Sequence, residues 1–129
     1  MRIGLLAHDS KKKLMQNLCI AYKGIFSRND IYATGTTGRL IQDVTNLKIH
    51  KYLTGNLGGI EQLSSQIEHN QIDLVIFLRE PLTGIHDQST QILEMCDMHN
   101  IPIATNLASA ELLLKSLDRG DMEWREMYK

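Results

Sequence analysis

The sequence predicts a single α/β domain in which a five-stranded, mainly parallel sheet lies between two layers of helices. Short apolar runs alternate with stretches of helical periodicity, which is the pattern of a parallel sheet covered on both faces. The chain has 129 residues, of which 43% are hydrophobic. This size fits one hydrophobic core, so we expect one domain over residues 1–129.

Each element has its own signal in the sequence. Residues 3–7 form an unbroken apolar run, as expected of a strand buried on both faces. Leu14, Leu18, Ala21 and Ile25 then recur at spacings of three and four, which predicts an amphipathic helix from about residue 11. The other elements follow in the same alternation: strands at 31–33, 49–53, 73–78 and 101–104, and helices at 37–44, around 63–67, around 92–99 and at 108–117.

Composition and charge argue against several classes of protein. The formal net charge is -1, and three consecutive lysines form the only basic cluster, so we expect no nucleic-acid or membrane partner. The apolar runs are too short to span a bilayer and no leader precedes the first strand-like run, so we expect a cytoplasmic protein. Cys19 and Cys96 lie far apart and are expected in the core, and His50, His69 and His99 lack ligands at metal spacing.

Glycines and polar residues concentrate in four loops that directly follow predicted strands. Because the carboxyl ends of parallel strands lie at one edge of a sheet, and ligands bind outside that edge, these loops are expected to surround one site. We name them in chain order the first to fourth loops: residues 7–10, 33–38, 53–59 and 80–87.

The second loop has the composition of a phosphate site. Its glycines allow tight turns, its threonines supply hydroxyls, and the following helix presents unpaired N–H donors. The same Thr-Gly turn could be an ordinary helix N-cap. The glycines of the third loop, together with Lys12 one turn into the first helix, favour an anion site.

These loops and the strands between them resemble the methylglyoxal synthase family. The most specific pieces are ATGTTG in the second loop and IPIATN at 101–106, and the similarity continues in order through nearly the whole chain. The resemblance implies a compact α/β domain that assembles as a homohexamer. It also implies elimination of phosphate from dihydroxyacetone phosphate to give methylglyoxal, without metal or organic cofactor. The resemblance also rests on these residues: His8-Asp9, Lys12, Tyr32, the third-loop glycines, residues 74–82 and His86.

The resemblance also implies roles for individual residues. His8 and His86 would face the triose, and Asp9 would help to orient the site. The phosphate would be surrounded by residues of the first helix and of the second and third loops: Lys12, Thr34, Gly35, Thr36, Thr37, Thr54 and Gly55.

Several of these residues also have purely structural interpretations. His8 could be a loop residue that caps the first helix, and Asp9 is an equally good N-cap. The charged C-terminal tail is most simply a solvated end, whereas in the family it reaches a neighbouring subunit. Arg125 would then bind phosphate in trans, while Trp124 and Met127, spaced i and i+3, would anchor the tail on that subunit.

The acid–base residues of the family are not all present. Family members carry an aspartate, the base, directly after the Gly-Gly pair of the third loop, and here that residue is Ile60. A second aspartate, three residues after the fourth-loop histidine, is replaced by Ser89. The fourth loop is also one residue shorter than usual before His86, and an arginine usual on the next helix is Glu94. A positioned acid or base contributes about 10²–10⁴-fold, so weakened activity is expected.

Two nearby carboxylates could compensate for these losses. Glu61 follows the missing aspartate by one position, and Asp87 is next to His86. However, one residue along a helix is a rotation of about 100°, so Glu61 would have to bend back toward the substrate. Ile60 meanwhile shares the spacing of the apolar face of its helix, which favours a core residue.

Three functions therefore stay open. The first is a methylglyoxal synthase-type lyase with altered or weakened activity, whose catalytic residues would be His86, Glu61, His8 and Asp9. The second is a non-catalytic, regulatory module that binds phosphate or a phosphorylated metabolite. The third is an enzyme that acts on another phosphorylated carbonyl compound, with Glu61 or His86 as base.

Overall fold

Five parallel strands form the centre of the molecule, in a computed structural model that describes residues 1–81 and 89–128. The strands are hydrogen-bonded in the order β3-β2-β1-β4-β5, and every pairing between them is parallel. The predicted α/β sheet is thus confirmed. The strands are β1 (Arg2–Ala7), β2 (Asp30–Ala33), β3 (Ile49–Lys51), β4 (Leu74–Leu78) and β5 (Ile103–Ala104).

Helices connect successive strands and cover the sheet. Within the described residues they are α1 (Lys12–Ala21), α2 (Lys23–Ser27), α3 (Gly35–Thr45), α4 (Gly59–Glu68), α5 (Thr90–Met98) and α6 (Leu107–Asp118). Short 3₁₀ turns lie at Asp9–Lys11, Gly55–Leu57 and Glu123–Tyr128. None of the helices in this described part is long and apolar enough to cross a membrane.

The strands bury both of their faces, as the unbroken apolar runs predicted. Successive strand residues face opposite sides of a sheet. In β1, Ile3 and Leu5 pack into one cluster with the buried residues of α1, α3 and α6. Leu6 packs into a second cluster with the buried residues of α4 and α5. The sheet is therefore the middle of three layers.

The strand order sets the position of a crevice. The chain runs outward from β1 through β2 to β3 and then returns to place β4 on the other side of β1. The loops after β1 and β4 leave the sheet at neighbouring points, and an open α/β sheet binds its ligands at such a switch point.

The first helix differs from the prediction because it is interrupted. The backbone leaves the helical region at Tyr22, where φ is -111° and ψ is 27°, and the short helix α2 follows. The break lets Phe26 enter the core with no exposed surface. Ile25 still packs against the same cluster as Leu18, so the spacing of apolar residues does not reveal the interruption.

The C-terminal tail is not simply solvated, contrary to one expectation. It forms the 3₁₀ turn Glu123–Tyr128 after α6. Met122 and Arg125 are buried at 4% and 2% exposure, whereas Trp124 and Met127 are exposed at 40% and 83%. One face of the tail therefore belongs to the folded domain.

Candidate functional site

A cavity of about 740 Å³ opens at the carboxyl edge of the sheet, next to the crevice between β1 and β4. Residues of the first, second and third loops meet in it, as the topology predicted. The fourth loop lies mainly outside the described residues. The cavity is lined by Leu6, Ala7, His8, Asp9, Lys12, Thr34, Thr36, Thr54, Gly55, Ile60, Phe77 and Ser89.

The second loop presents the N-terminus of α3 to this cavity. Thr34 is the N-cap residue, and its carbonyl accepts from the amide of Gly38 at 2.8 Å. The amides of Thr36 and Thr37 lie in the first helical turn, where intrahelical acceptors are lacking. The positive end of the helix dipole adds to these donors. An anion placed against this turn would therefore meet favourable partners.

The second and third loops are tied together through their backbones. The amide of Gly35 donates to the carbonyl of Leu53 at 3.1 Å. A Cβ atom at Gly35 would lie 2.9 Å from the carbonyl oxygen of Tyr52, so a side chain there would push the loops apart. This close approach explains the glycine and brings Thr54 and Gly55 to the same cavity as Thr34.

Lys12 supplies the positive charge of the cavity. Its Nζ donates to the carbonyl of Ala7 at 2.9 Å and lies 3.1 Å from Oδ1 of Asp9. The Lys12 side chain is 19% exposed, whereas that of Asp9 is 99% exposed. The ammonium group is thus held in place at the end of β1, and the Asp9 carboxylate stays in contact with water.

His8 is held in a defined orientation by the loop that follows β4. The amide of Glu80 donates to Nδ1 of His8 at 2.9 Å. The ring also meets the edge of Phe77, with centroids 5.1 Å apart. Because Nδ1 accepts this hydrogen bond, the geometry assigns the ring hydrogen to Nε2, which lies 3.4 Å from Oγ of Ser89. His8 therefore acts as a donor in the cavity, and its side chain does not cap the adjoining 3₁₀ turn.

The positions where the resemblance implies aspartates both line the cavity. Ile60 and Ser89 are each 6% exposed. Ile60 also packs with Leu63 and Ile67 in the core cluster beneath α4. The interpretation of Ile60 as a core residue is thus correct, and the same side chain forms part of the cavity wall.

Several residues expected at the site are placed elsewhere. Glu61 is exposed on α4 and does not line the cavity. Thr37 is buried at 1% exposure behind the lining, with Oγ1 3.4 Å from Oγ1 of Thr34. His86 lies outside the described residues. Within residues 1–81 and 89–128, no group of three or more His, Cys, Asp or Glu side chains could hold a metal ion.

Arg125 lies at the opposite edge of the sheet. Its Nε donates to Oδ1 of Asp73 at 3.1 Å, and Asp73 directly precedes β4. Its Nη2 donates to Oδ1 of Asn70 and to the carbonyl of Ile72. At 2% exposure, with these acceptors in its own chain, Arg125 does not fit the expected role as a phosphate ligand in trans, and we do not retain it.

Two apolar members of the lining, Leu6 and Phe77, were not predicted from the sequence. Both lie in buried strands and gave no polar signal. Their position one residue before the strand end could have indicated them, since side chains near the carboxyl ends of β1 and β4 border the crevice.

Comparisons with known proteins agree with this architecture. Residues 18–105 match the family model of the MGS-like domain. The chain is 58% identical to a methylglyoxal synthase of Caldicellulosiruptor saccharolyticus, over 98% of this chain and 92% of that protein. It is 50% identical to one of Clostridioides difficile, over 100% of this chain and 96% of that protein.

A solved structure shows the same fold. The crystal structure of methylglyoxal synthase from Elizabethkingia anophelis superimposes with a TM-score of 0.83, at 34% identity, and covers 88% of this chain and 76% of that chain. Sequence and fold thus agree along nearly the whole length, and the chain belongs to the MGS-like domain family.

Proposed function

We propose that the chain is a methylglyoxal synthase-type lyase with weakened activity, which eliminates phosphate from dihydroxyacetone phosphate. The observation that carries this proposal is the convergence of the α3 N-terminus, Lys12 and the donor nitrogen of His8 on one cavity. The relatives named methylglyoxal synthase, up to 58% identical, supply the reaction.

The phosphate group would bind between the second and third loops. The first-turn amides of α3 and the hydroxyls of Thr34, Thr36 and Thr54 are the hydrogen-bond donors there. Lys12 contributes the charge-assisted hydrogen bond. Binding at this end would direct the three-carbon chain toward His8.

The reaction consists of proton removal, phosphate elimination and proton return. A base removes a proton from the hydroxymethyl carbon; the C–H pair forms a C=C bond with the carbonyl carbon, and the carbonyl π pair moves to oxygen, which gives an enediolate. The terminal hydroxyl then gives its proton to phosphate and its oxygen forms a C=O bond, while the C=C pair shifts to the phosphate-bearing carbon and phosphate leaves with the pair of its C–O bond. The remaining enolate takes up the proton held by the base at its terminal carbon and becomes methylglyoxal. Nε2–H of His8 would stabilise the negative oxygen of the intermediate.

Asp9 is the proton acceptor in this proposal. It carries the only carboxylate that lines the cavity among residues 1–81 and 89–128. His8 cannot accept the proton, because Nδ1 accepts from Glu80 and Nε2 already carries hydrogen. The Asp9 carboxylate is almost fully exposed and pairs with Lys12. A well-solvated carboxylate is a poor base toward carbon, so weakened turnover is expected.

A second candidate function is binding of phosphate or a phosphorylated metabolite without catalysis. Ile60 and Ser89 favour it, because neither can accept a proton from carbon although both line the cavity. The phosphate site itself is common to both functions.

The test is an assay of methylglyoxal formed from dihydroxyacetone phosphate by the purified protein. Slow turnover is expected, and Asp9→Asn should abolish it while Glu61→Gln preserves it. Glu68→Gln, a change on the same helix far from the cavity, is the matched control. Loss of activity in Glu61→Gln alone would assign the base to Glu61. No turnover in a protein that binds phosphate would establish the binding module.

We also propose that the chain assembles as a homo-oligomer, and through the resemblance as a hexamer. The exposed side chains of Trp124 and Met127 support a surface that a partner covers. Light scattering at micromolar concentration tests this, and a monomeric mass would contradict it.

A further inference from the structure

We propose that the cavity selects phosphate monoesters whose carbon chain carries few hydroxyl groups over polyhydroxylated sugar phosphates. This inference rests on the proposed phosphate site and concerns the wall next to it. We call this the apolar wall: Leu6, Ala7, Ile60 and Phe77.

The side chain of Ile60 lies next to Gly55 at the phosphate end of the cavity. A Cβ atom built at Gly55 would lie 3.8 Å from both Cγ1 and Cδ1 of Ile60. The outer carbons of Ile60 are therefore close neighbours of the third-loop backbone. The first carbons beyond a phosphate bound at that loop would meet Ile60.

The remainder of the apolar wall extends this surface. Leu6 and Phe77 are 5% and 0% exposed, so the accessible carbon that these two side chains add to the cavity is small and comes from Leu6. A ligand hydroxyl against this wall would lose its water without gaining a partner. A methylene at the same place would gain by leaving water.

The polar groups beside the apolar wall are few. Among the described residues, those beyond the phosphate end are the first-loop side chains of His8 and Asp9 and the hydroxyl of Ser89. His8 and Ser89 already contact one another at 3.4 Å, and the Asp9 carboxylate faces solvent. Among the described residues, His8 can satisfy one carbonyl or hydroxyl of a ligand, whereas a hydroxyl placed directly against the apolar wall meets carbon.

The size of the cavity allows a carbon chain longer than that of a triose. Its volume of about 740 Å³ is on the scale of sites that hold drug-sized ligands, roughly 300–1,000 Å³. Added methylenes would therefore have room beside the apolar wall.

The experiment is calorimetric titration of the full chain with inorganic phosphate, propyl phosphate, pentyl phosphate and glycerol 3-phosphate. Propyl phosphate and glycerol 3-phosphate share phosphate and carbon number and differ by two hydroxyls. We expect affinity to rise by about fourfold for each buried methylene. Propyl phosphate should bind at least about tenfold more tightly than glycerol 3-phosphate, because one hydroxyl lacks a partner.

Variants of Ile60 test whether this side chain causes the preference for propyl phosphate. Ile60→Asn should reduce or reverse the ratio of the affinities for propyl phosphate and glycerol 3-phosphate, whereas Ile60→Val should keep that ratio. Leu57→Asn places the same side chain on the third loop at a residue that is 69% exposed and outside the lining, so it is the matched control. If Ile60→Asn does not fold, the wild-type series and Ile60→Val still test the proposal.

The outcomes separate this inference from the proposed function. Equal affinity for the two esters, or tighter binding of glycerol 3-phosphate by the wild type, would overturn the inference and leave the phosphate site intact. Failure of inorganic phosphate and all three esters to bind would overturn the phosphate site as well. Turnover of dihydroxyacetone phosphate is measured independently of both.

Discussion

Nε of Arg125 lies 3.1 Å from Oδ1 of Asp73, and the two side chains are 2% and 0% exposed. The other carboxylate oxygen of Asp73 accepts from the amide of Arg2 at 2.8 Å. The pair therefore joins the C-terminal tail to the amino ends of β1 and β4, at the edge of the sheet opposite the cavity.

Arg125→Ala should lower the free energy of unfolding by about 3–5 kcal/mol, because it leaves the Asp73 carboxylate buried without its cation. Urea denaturation measures the change. Arg119→Ala is the control, since its pair with Asp121 has side chains 69% and 48% exposed and should contribute less than about 1 kcal/mol. Equal losses in both variants would show that burial does not strengthen the Arg125 pair.

Gly59→Ala should destabilise the protein and weaken phosphate binding together. A Cβ atom at Gly59 would lie 2.1 Å from the carbonyl oxygen of Leu53, so the backbone of the third loop must shift. We expect the free energy of unfolding, measured by urea denaturation, to fall by about 1–3 kcal/mol.

Gly24→Ala is the control for this glycine. Its Cβ atom would contact only the flexible end of Arg28, at 3.6 Å. Because alanine loses less conformational entropy than glycine in a helix, Gly24→Ala in α2 should raise the free energy of unfolding by about 0.5–1 kcal/mol. A tolerated Gly59→Ala would mean that the third loop is not held as closely as the structure indicates.

Lys12→Met should weaken binding of inorganic phosphate by about tenfold or more. Among the described residues Lys12 is the only cationic side chain that lines the cavity, and a hydrogen bond to a charged group contributes about 1.5–3 kcal/mol. Calorimetry compares it with Lys13→Met, which removes the neighbouring, exposed charge. The same affinity in both variants would remove Lys12 from the site.

The two cysteines should be inert at pH 8 in the folded protein. Both are fully buried, and burial raises the pKa of each thiol from 9.0 to about 12. A disulfide exchange reagent should therefore react only after unfolding. Rapid reaction under native conditions would contradict the burial.

The raised pKa values of the two thiols also predict how stability changes with pH. Because each thiol pKa is higher in the folded state than in the unfolded chain, the folded state keeps protons that the unfolded chain releases. The contribution of these thiols to the free energy of unfolding should be constant below pH 9 and should fall as the pH rises toward 12. Cys19→Ala together with Cys96→Ala should flatten this alkaline decline.

The double change Ile60→Asp with Ser89→Asp should raise methylglyoxal production. Both positions line the cavity, so carboxylates there would stand beside a substrate already held by the phosphate site. Leu57→Asp adds charge to the same loop outside the lining and should have no such effect. An inactive double variant that still binds phosphate would favour the binding module.

The sequence by itself determined the elements and the composition of the second and third loops. Apolar periodicity is local, so it located all five strands and showed that Cys19, Cys96 and Ile60 face the core. The second loop was recognisable because a Thr-Gly turn before a helix has the same donors in any surroundings. Strand alternation then placed the loops at one edge.

Only the tertiary structure decided which side chains meet. Ser89 reaches His8 from 81 positions along the chain, and Arg125 reaches Asp73 from 52 positions. Such contacts depend on strand order and on the path of the tail, which local periodicity does not encode. Helix geometry had already indicated that Glu61, one residue from Ile60, turns away from the substrate, whereas only the structure shows that Phe77 lines the cavity. A helix or strand position sets the direction of a side chain, and the packing of distant elements decides what that side chain meets.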